Sequence, residues 1–349
     1  MSELQGLLRE KIVFRSERCL LKRNAQTSCR SCEQVCPAGA IESQERSICF
    51  DSLKCENCGA CRAACPTEAF TFESFGFLRE ICSLDQEEVA FGCTLNKANR
   101  RDFNLCCYVQ LTEGELIYLL SQKKHLVFFT QQCVTCAYKL GFQHFLNHVD
   151  LGRDLFKANA RIQLCQEPAQ SAGVSRRLFF QWIREKAVTA LGAALPGEPG
   201  ETVNRIPGRR YNLLRGLNCL PQVPGEVLFV REIKASSACT GCGGCVSICP
   251  DKAFKLTDNQ LTWQAKRCLN CGLCLETCPE KALNYAGQIL TTEFFEVKIL
   301  QEFQGRQCTS CGSYFGGEGN TCRHCLSKGE FLVEDFHSNL RGMLEITHF

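Results

Sequence analysis

The cysteines that could do chemistry in this chain lie in short runs, and the most regular stretch spans Cys239 to Cys278. It reads Cys239-Thr-Gly-Cys242-Gly-Gly-Cys245-Val-Ser-Ile-Cys249-Pro250, then Cys268-Leu-Asn-Cys271-Gly-Leu-Cys274-Leu-Glu-Thr-Cys278-Pro279. Each half is C-x2-C-x2-C-x3-C-P. Three thiolates two residues apart lie on a tight loop whose N–H groups turn inward. The proline fixes φ, donates no N–H and steers the chain away. Zinc wants four ligands per site, usually as separated pairs, and does not need two interlocked runs. A disulfide framework belongs to short secreted chains. The spacing is that of a cubane iron–sulfur cluster in each half, with the fourth Cys of each run reaching across to the other cluster.

On that spacing one cluster takes Cys239, Cys242, Cys245 and Cys278, and the other takes Cys268, Cys271, Cys274 and Cys249. The stretch resembles the two-cluster bacterial-type ferredoxin domain. The pattern repeats earlier as Cys55-Glu-Asn-Cys58-Gly-Ala-Cys61-Arg-Ala-Ala-Cys65-Pro66, preceded by Cys29-Arg-Ser-Cys32-Glu-Gln-Val-Cys36-Pro37. Cys36 precedes Cys55 by the interval that separates Cys249 from Cys268, so the two modules are repeats in register. Each of the four prolines has an alanine three residues on. One N-terminal set is complete, with Cys55, Cys58, Cys61 and Cys36. The other keeps only Cys29, Cys32 and Cys65, because the place of Cys239 falls on Gln26. The candidates to complete it are Cys19, Cys49 and an open or three-iron cluster, and Cys19 also reads as a buried free thiol.

The middle of the chain alternates strands and helices. Strands are expected at Glu88–Cys93, Phe103–Cys107, His125–Thr130 and Arg161–Cys165. Thr112 with Glu115 forms a capping box opening a helix over Glu113–Lys123, and a second helix spans Ala137–His148. Continuous apolar strands separated by helices imply a parallel sheet covered on both faces, whose ligands gather at the carboxyl ends of the strands. Cys93, Cys106, Cys107, Cys133, Cys136 and Cys165 lie at those ends. The segment resembles the delta subunit of methyl-viologen-reducing hydrogenase, in the strand-ending Cys, the Cys107-Tyr-Val-Gln-Leu run before a helix, and the apolar strand leading to Cys133 and Cys136. That resemblance implies an electron-relaying domain with a two-iron cluster, for which Cys93, Cys107, Cys133 and Cys136 are the candidate ligands. The alternative is that strand-end cysteines are small core residues. His144 and His148 share a helix face and read as solvated.

Arg176–Leu191 reads as an amphipathic helix packed on this domain rather than on a membrane surface. Gly192–Glu201 is a linker by composition. Ile206–Arg215 reads as a clamp against a partner or against the first module. At the far end Cys308-Thr-Ser-Cys311 and Cys322-Arg-His-Cys325 are paired C-x2-C knuckles, suited to one structural zinc ion or to mononuclear iron. His324 reads as exposed or beside the ligands, and Phe331–Phe349 as a short helix.

The fold class is thus α+β and multidomain, with two ferredoxin-like two-cluster modules flanking an α/β parallel-sheet domain and a zinc-ribbon-like knuckle pair at the C-terminus. The expected domains are 1–74, 75–191, a linker and docking segment over 192–232, 233–290, and 291–349. Hydrophobic content of 45% supports buried cores, and a net charge of +3 argues against general nucleic-acid binding. The basic N-terminal segment reads as a solvated face or as a dock for an acidic partner. No apolar run reaches the ~20 residues of a membrane span. Clustered cysteines in a long chain without a signal peptide point to metal in a reducing, cytoplasmic setting. No nucleotide-binding, phosphate-loop or nucleophile-elbow motif is present. The expected function is an electron-transfer subunit with three to four cubane clusters, joining a dehydrogenase, hydrogenase or reductase to another carrier. The alternative is reduction of a disulfide or sulfur compound at the middle-domain cysteines.

Overall fold

The computed structural model describes residues 11–24, 27–72, 77–93, 102–166, 208–218, 226–257, 259–290, 292–303, 306–310, 312, 314–315, 319–322 and 325–326. They fall into two compact units, Met1–Cys19 with Arg30–Pro221, and Leu20–Cys29 with Gln222–Phe349. The expected helix over 176–191, the linker over 192–201, Gln26, His324 and the tail from 331 lie outside the described residues. Among the described residues no helix is long and apolar enough to cross a membrane.

In the first unit β1 (Ile12–Phe14) and β4 (Phe70–Phe72) pair antiparallel, and β2 (Ile41–Ser43) and β3 (Ile48–Phe50) form a hairpin. Two short helices, α1 (Ser31–Gln34) and α2 (Ala60–Ala64), carry the cysteine loops. After α3 (Phe77–Cys82) come β5 (Glu88–Cys93), β6 (Phe103–Leu105), β7 (His125–Phe129) and β8 (Ile162–Cys165). These four strands form one parallel sheet in the order β6-β5-β7-β8. Phe91 of β5 stacks on Phe128 of β7, with ring centroids 4.8 Å apart, and Phe145 meets Phe128 edge-on.

Helix α4 (Glu113–Ser121) starts where the capping box places it, and Glu115 accepts the Thr112 N–H at 2.8 Å. Helix α5 (Lys139–Phe156) runs two turns past the expected end. Gly141, Phe145, Val149, Gly152 and Phe156 keep one buried stripe at helical spacing along its whole length. His148 corrects the solvated reading. Its side chain is only 12% exposed, and its ring meets the Leu111 carbonyl at 3.0 Å and Glu113 at 3.6 Å.

Helix α6 (Gly208–Asn218) docks its first turn on the first module. The N–H groups of Gly208 and Arg209 both donate to the Glu68 carboxylate at 2.6 Å, an anion at a helix N-terminus. Arg209 also binds Glu113 and the Ala63 carbonyl. Arg62 of α2 binds Glu115 through both guanidinium nitrogens, donates to the Gln110 carbonyl at 2.9 Å and stands 4.0 Å from Glu68. Module, sheet domain and clamp are therefore joined by one buried network of charges. Burial opposes ionisation of Glu113, yet Arg209 and His148 hold its pKa down at about 2.

In the second unit β9 (Glu226–Ala235) pairs with β12 (Leu283–Leu290), and β10 (Phe254–Leu256), β11 (Gln260–Gln264) and β13 (Val297–Glu302) form an antiparallel sheet. Helices α7 (Gly244–Ile248) and α8 (Leu273–Thr277) carry its cysteine loops. The segment Leu20–Cys29 belongs here. Asn24 donates to the Thr277 hydroxyl at 3.1 Å, and the Ser28 hydroxyl donates to Glu276 at 3.2 Å. Strands β14 (Arg306–Gln307) and β15 (Tyr314–Phe315) pair antiparallel beside the C-terminal cysteines.

The Arg62→Ala substitution is expected to destabilise the first unit by about 3–5 kcal/mol, because it strands the Glu115 carboxylate, which has 0% exposure. Arg161→Ala, which removes an exposed pair with Glu87, should cost less than about 1 kcal/mol. Chemical denaturation of both variants beside the parent checks the contrast. The Glu113 contribution is present above its ordinary pKa of 4.5 and is lost as pH falls towards 2.

Candidate metal centres

The second unit shows how the loops are built. Positive φ at Gly241 (68°), Gly243 (73°), Asn270 (54°) and Gly272 (73°) turns the chain sharply between its cysteines. Its thiols fall into two electrostatic groups. Burial raises the Cys239 thiol, and Cys242 and Cys278 add to it; burial takes Cys245 to about 12, reinforced by Cys239 and Cys242. These four cysteines line one pocket with Thr240, Leu256 and Leu283. In the other group burial pushes Cys271 up to about 12, with Cys268 and Cys249 contributing. Burial likewise raises Cys274, with Cys268, Cys271 and Cys249 contributing and Cys245 of the first run adding to them. The fourth cysteine of each run thus acts on the other run's thiols. All-thiolate donor sets of this kind suit iron–sulfur cores.

The alanine after each Cys-Pro has a structural job. The N–H of Ala40, Ala69, Ala253 and Ala282 donates to the sulfur of Cys36, Cys65, Cys249 and Cys278 respectively, at 3.2–3.3 Å. The residue before each alanine takes positive φ to bring that N–H round: Gly39, Glu68, Lys252 and Lys281. Three of the four are not glycine, so strain at this turn is accepted. An N–H aimed at sulfur favours the charged thiolate, which is the form that binds metal. Asn57 and Asn270 occupy equal repeat positions at φ 53° and 54°. Their side chains accept the N–H of Ile12 at 3.0 Å and of Arg231 at 3.3 Å, tying each loop to the module's first strand. Sequence reasoning missed both, although the shared C-x-N-C pattern was visible.

In the first unit burial takes Cys58 to about 12 and raises Cys61 well above its ordinary value, with Cys36 and Cys55 contributing to both. The intact N-terminal set is therefore gathered in space. For the altered set, Cys32 and Cys65 are buried in the first unit, whereas Cys29 closes the segment that belongs to the second. The chain leaves β1 much as it leaves β9. Arg15 N–H donates to the Ala69 carbonyl, then Cys19 N–H to the Ser16 carbonyl; Ser236 N–H donates to Ala282, then Cys239 N–H to Ser236. Cys19 thus follows the strand one residue later than Cys239 does. Cys49 is exposed on β3.

The strand-end cysteines of the middle domain converge in part. A hydrogen bond with Cys93, then burial, raises the Cys107 thiol. Burial takes Cys133 to about 12, with Cys93 and Cys136 contributing. The Tyr108 phenol, bonded to the Phe91 carbonyl at 2.9 Å, is raised by burial and by Cys93, Cys133 and Cys107. Cys165 ends β8 opposite Phe129 and is half-buried. At the C-terminal knuckles the sulfurs of Cys308, Cys322 and Cys325 lie within 4.8 Å of one another, and Cys322 N–H donates to the Cys308 sulfur at 3.2 Å. Thiolates on one tetrahedral zinc at ~2.3 Å stand close together in this way. Cys311 lies outside the described residues.

These thiols give a labelling prediction. In the folded metal-free chain Cys58, Cys133, Cys245 and Cys271, raised from 9.0 to about 12, should react with iodoacetamide at pH 8 about 10³-fold slower than in urea. Because the folded values are raised, the associated stability is complete below pH 9.0 and is lost towards about 12. Equal labelling rates with and without urea would contradict the geometry.

Comparison with known proteins agrees with the spacing. Residues 27–69 and 224–283 each match a 4Fe-4S dicluster domain. The chain is 51% identical over 41 residues to a subunit of the ion-translocating oxidoreductase complex of Methanosarcina acetivorans, a match covering 12% of this chain and 16% of that one. It is 42% identical over 45 residues to a protein named Ferredoxin 7Fe from Hydrogenibacillus schlegelii, covering 13% of this chain and 58% of that one. The chain therefore carries two 4Fe-4S dicluster ferredoxin domains, which imply bound 4Fe-4S clusters and align it with iron–sulfur electron-transport proteins.

Proposed function

We propose that this chain is the electron-transfer subunit of an oxidoreductase complex, relaying single electrons between a catalytic partner and another redox carrier. The observation that carries the reading is geometric: Cys278 of the second run lines one pocket with Cys239, Cys242 and Cys245 of the first. Cys239, Cys242, Cys245 and Cys278 hold one cubane, and Cys268, Cys271, Cys274 and Cys249 hold the second. Cys55, Cys58, Cys61 and Cys36 hold the third. In the altered N-terminal set Cys29, Cys32 and Cys65 remain and Cys19 replaces the missing thiol. That replacement is supported by the turn Cys19 makes on leaving β1.

Cys93, Cys107, Cys133 and Cys136 hold a further two-iron centre, supported by the shared electrostatic influence of three of them on Tyr108. Cys308, Cys322 and Cys325, with Cys311, hold a structural zinc ion. Such clusters exchange one electron at potentials set by ligation, hydrogen bonds to sulfur and solvent access. The protein's part is to keep water out, to aim N–H groups at the sulfurs and to fix the spacing between sites. One relative is named as a subunit of an oxidoreductase complex, which agrees with a relay that works beside a catalytic chain.

Anaerobic purification should yield a brown protein with about 18 iron atoms per chain, from four cubanes and one two-iron centre. One zinc should accompany them. A count lower by about one iron would indicate a three-iron cluster in the altered set. A colourless chain containing zinc alone would overturn the proposal. Cys308→Ser should remove the zinc and leave the iron count unchanged.

A further inference from the structure

The loop carrying Cys55, Cys58 and Cys61 is not packed against its own module alone. Gly59, at φ 80°, sits so close to Gln110 that a Cβ there would lie 2.4 Å from the Gln110 Cβ and 3.2 Å from its Cα. Only glycine fits, both for the backbone angle and for the neighbour. Gly141 meets the same seam, where a Cβ would lie 3.1 Å from Val109 and 3.2 Å from Ala60. Arg62 closes one side through its bond to the Gln110 carbonyl. On the other side the Cys106 thiol donates to the Glu56 carbonyl at 3.7 Å, and the Tyr138 hydroxyl donates to the Glu56 carboxylate at 3.1 Å.

Each partner in this seam neighbours a cysteine of one of two sets. Glu56 and Gly59 each follow a cysteine of the intact N-terminal set, whereas Cys106 precedes Cys107, Gln110 lies three residues after it and Tyr138 two residues after Cys136. The Cys93 thiol donates to the Cys106 carbonyl at 3.3 Å, so the bridge reaches a second member of the middle set. Electrostatics agree, since Cys106 acts on Cys58 and Cys58 on Cys107.

We infer that the Glu56–Cys106 and Gly59–Gln110 contacts hold the middle cysteine set and the Cys36, Cys55, Cys58, Cys61 set as one electron-exchanging pair. Electrons thereby enter or leave the N-terminal module by way of the middle domain. The step moves one electron from reduced iron at one set to oxidised iron at the other; no bond forms or breaks and no proton is transferred. The inference rests on the reading of the middle set as an iron–sulfur centre.

Electron paramagnetic resonance on the fully reduced, full-length chain tests it. The spectrum should show spin–spin broadening, and the middle-set signal should relax faster once the neighbouring set is reduced. In the Cys93→Ser, Cys107→Ser double variant about two irons should be lost, and the N-terminal signals should lose the part of their broadening owed to the middle set, while the broadening within each dicluster pair remains. If iron falls but those signals keep their line shape, the pairing is overturned and the middle centre stands. If iron does not fall, the middle-centre reading fails and the pairing with it. Should the variant not fold, power saturation of the unsubstituted chain during stepwise reduction decides alone, and an unchanged middle-set relaxation overturns the pairing.

Discussion

A thiol withdrawn from water resists losing its proton, and a neighbouring thiolate makes the loss harder still. Among the described residues, Cys58, Cys133, Cys245 and Cys271 are held against that resistance. Burial and mutual repulsion carry Cys58, Cys245 and Cys271 to about 12, so an empty site holds protons rather than charge at neutral pH. A metal core that displaces those protons turns the repulsion into ligation, which couples metal uptake to folding. The N–H groups aimed at Cys36, Cys65, Cys249 and Cys278 offset part of the cost in advance.

The scaffolds around the loops are stiff for the same reason. Helices α2, α7 and α8 have only five residues each and would not persist alone. They are held by strands on one side and, in the first unit, by charges that find partners only in the folded chain. Arg62 and Arg209 meet Glu115, Glu113 and Glu68 there. The second module has no counterpart of Arg62 at its equivalent position, Leu275. Its loop is steadied by Asn270 and by Arg231 stacked 3.9 Å over the Tyr285 ring.

This difference bears on what each module does. The N-terminal module shares a buried wall with the parallel sheet, where Arg62 donates to the Gln110 carbonyl and Gly59 packs against Gln110. The close fit of Gly59 against Gln110 fixes this wall, because neither backbone can shift without disturbing the Arg62 bond to Gln110.

Cysteine spacing, the alanine after each Cys-Pro, the strand–helix alternation and the Thr112–Glu115 cap were all legible in the sequence. Each is a local signal with a fixed period or offset. The crossed pairing of the fourth cysteines was an expectation drawn from the likeness of the runs to a ferredoxin pattern. What the tertiary structure alone decided is long-range. It buried His148 against Glu113, extended α5 to Phe156, set α6 on Glu68 and gave the segment Leu20–Cys29 to the second unit. Partners such as Glu68 and Gly208, separated by 140 positions, leave no periodic mark. Their meeting depends on burial and charge pairing, which exist only once the chain has closed on itself.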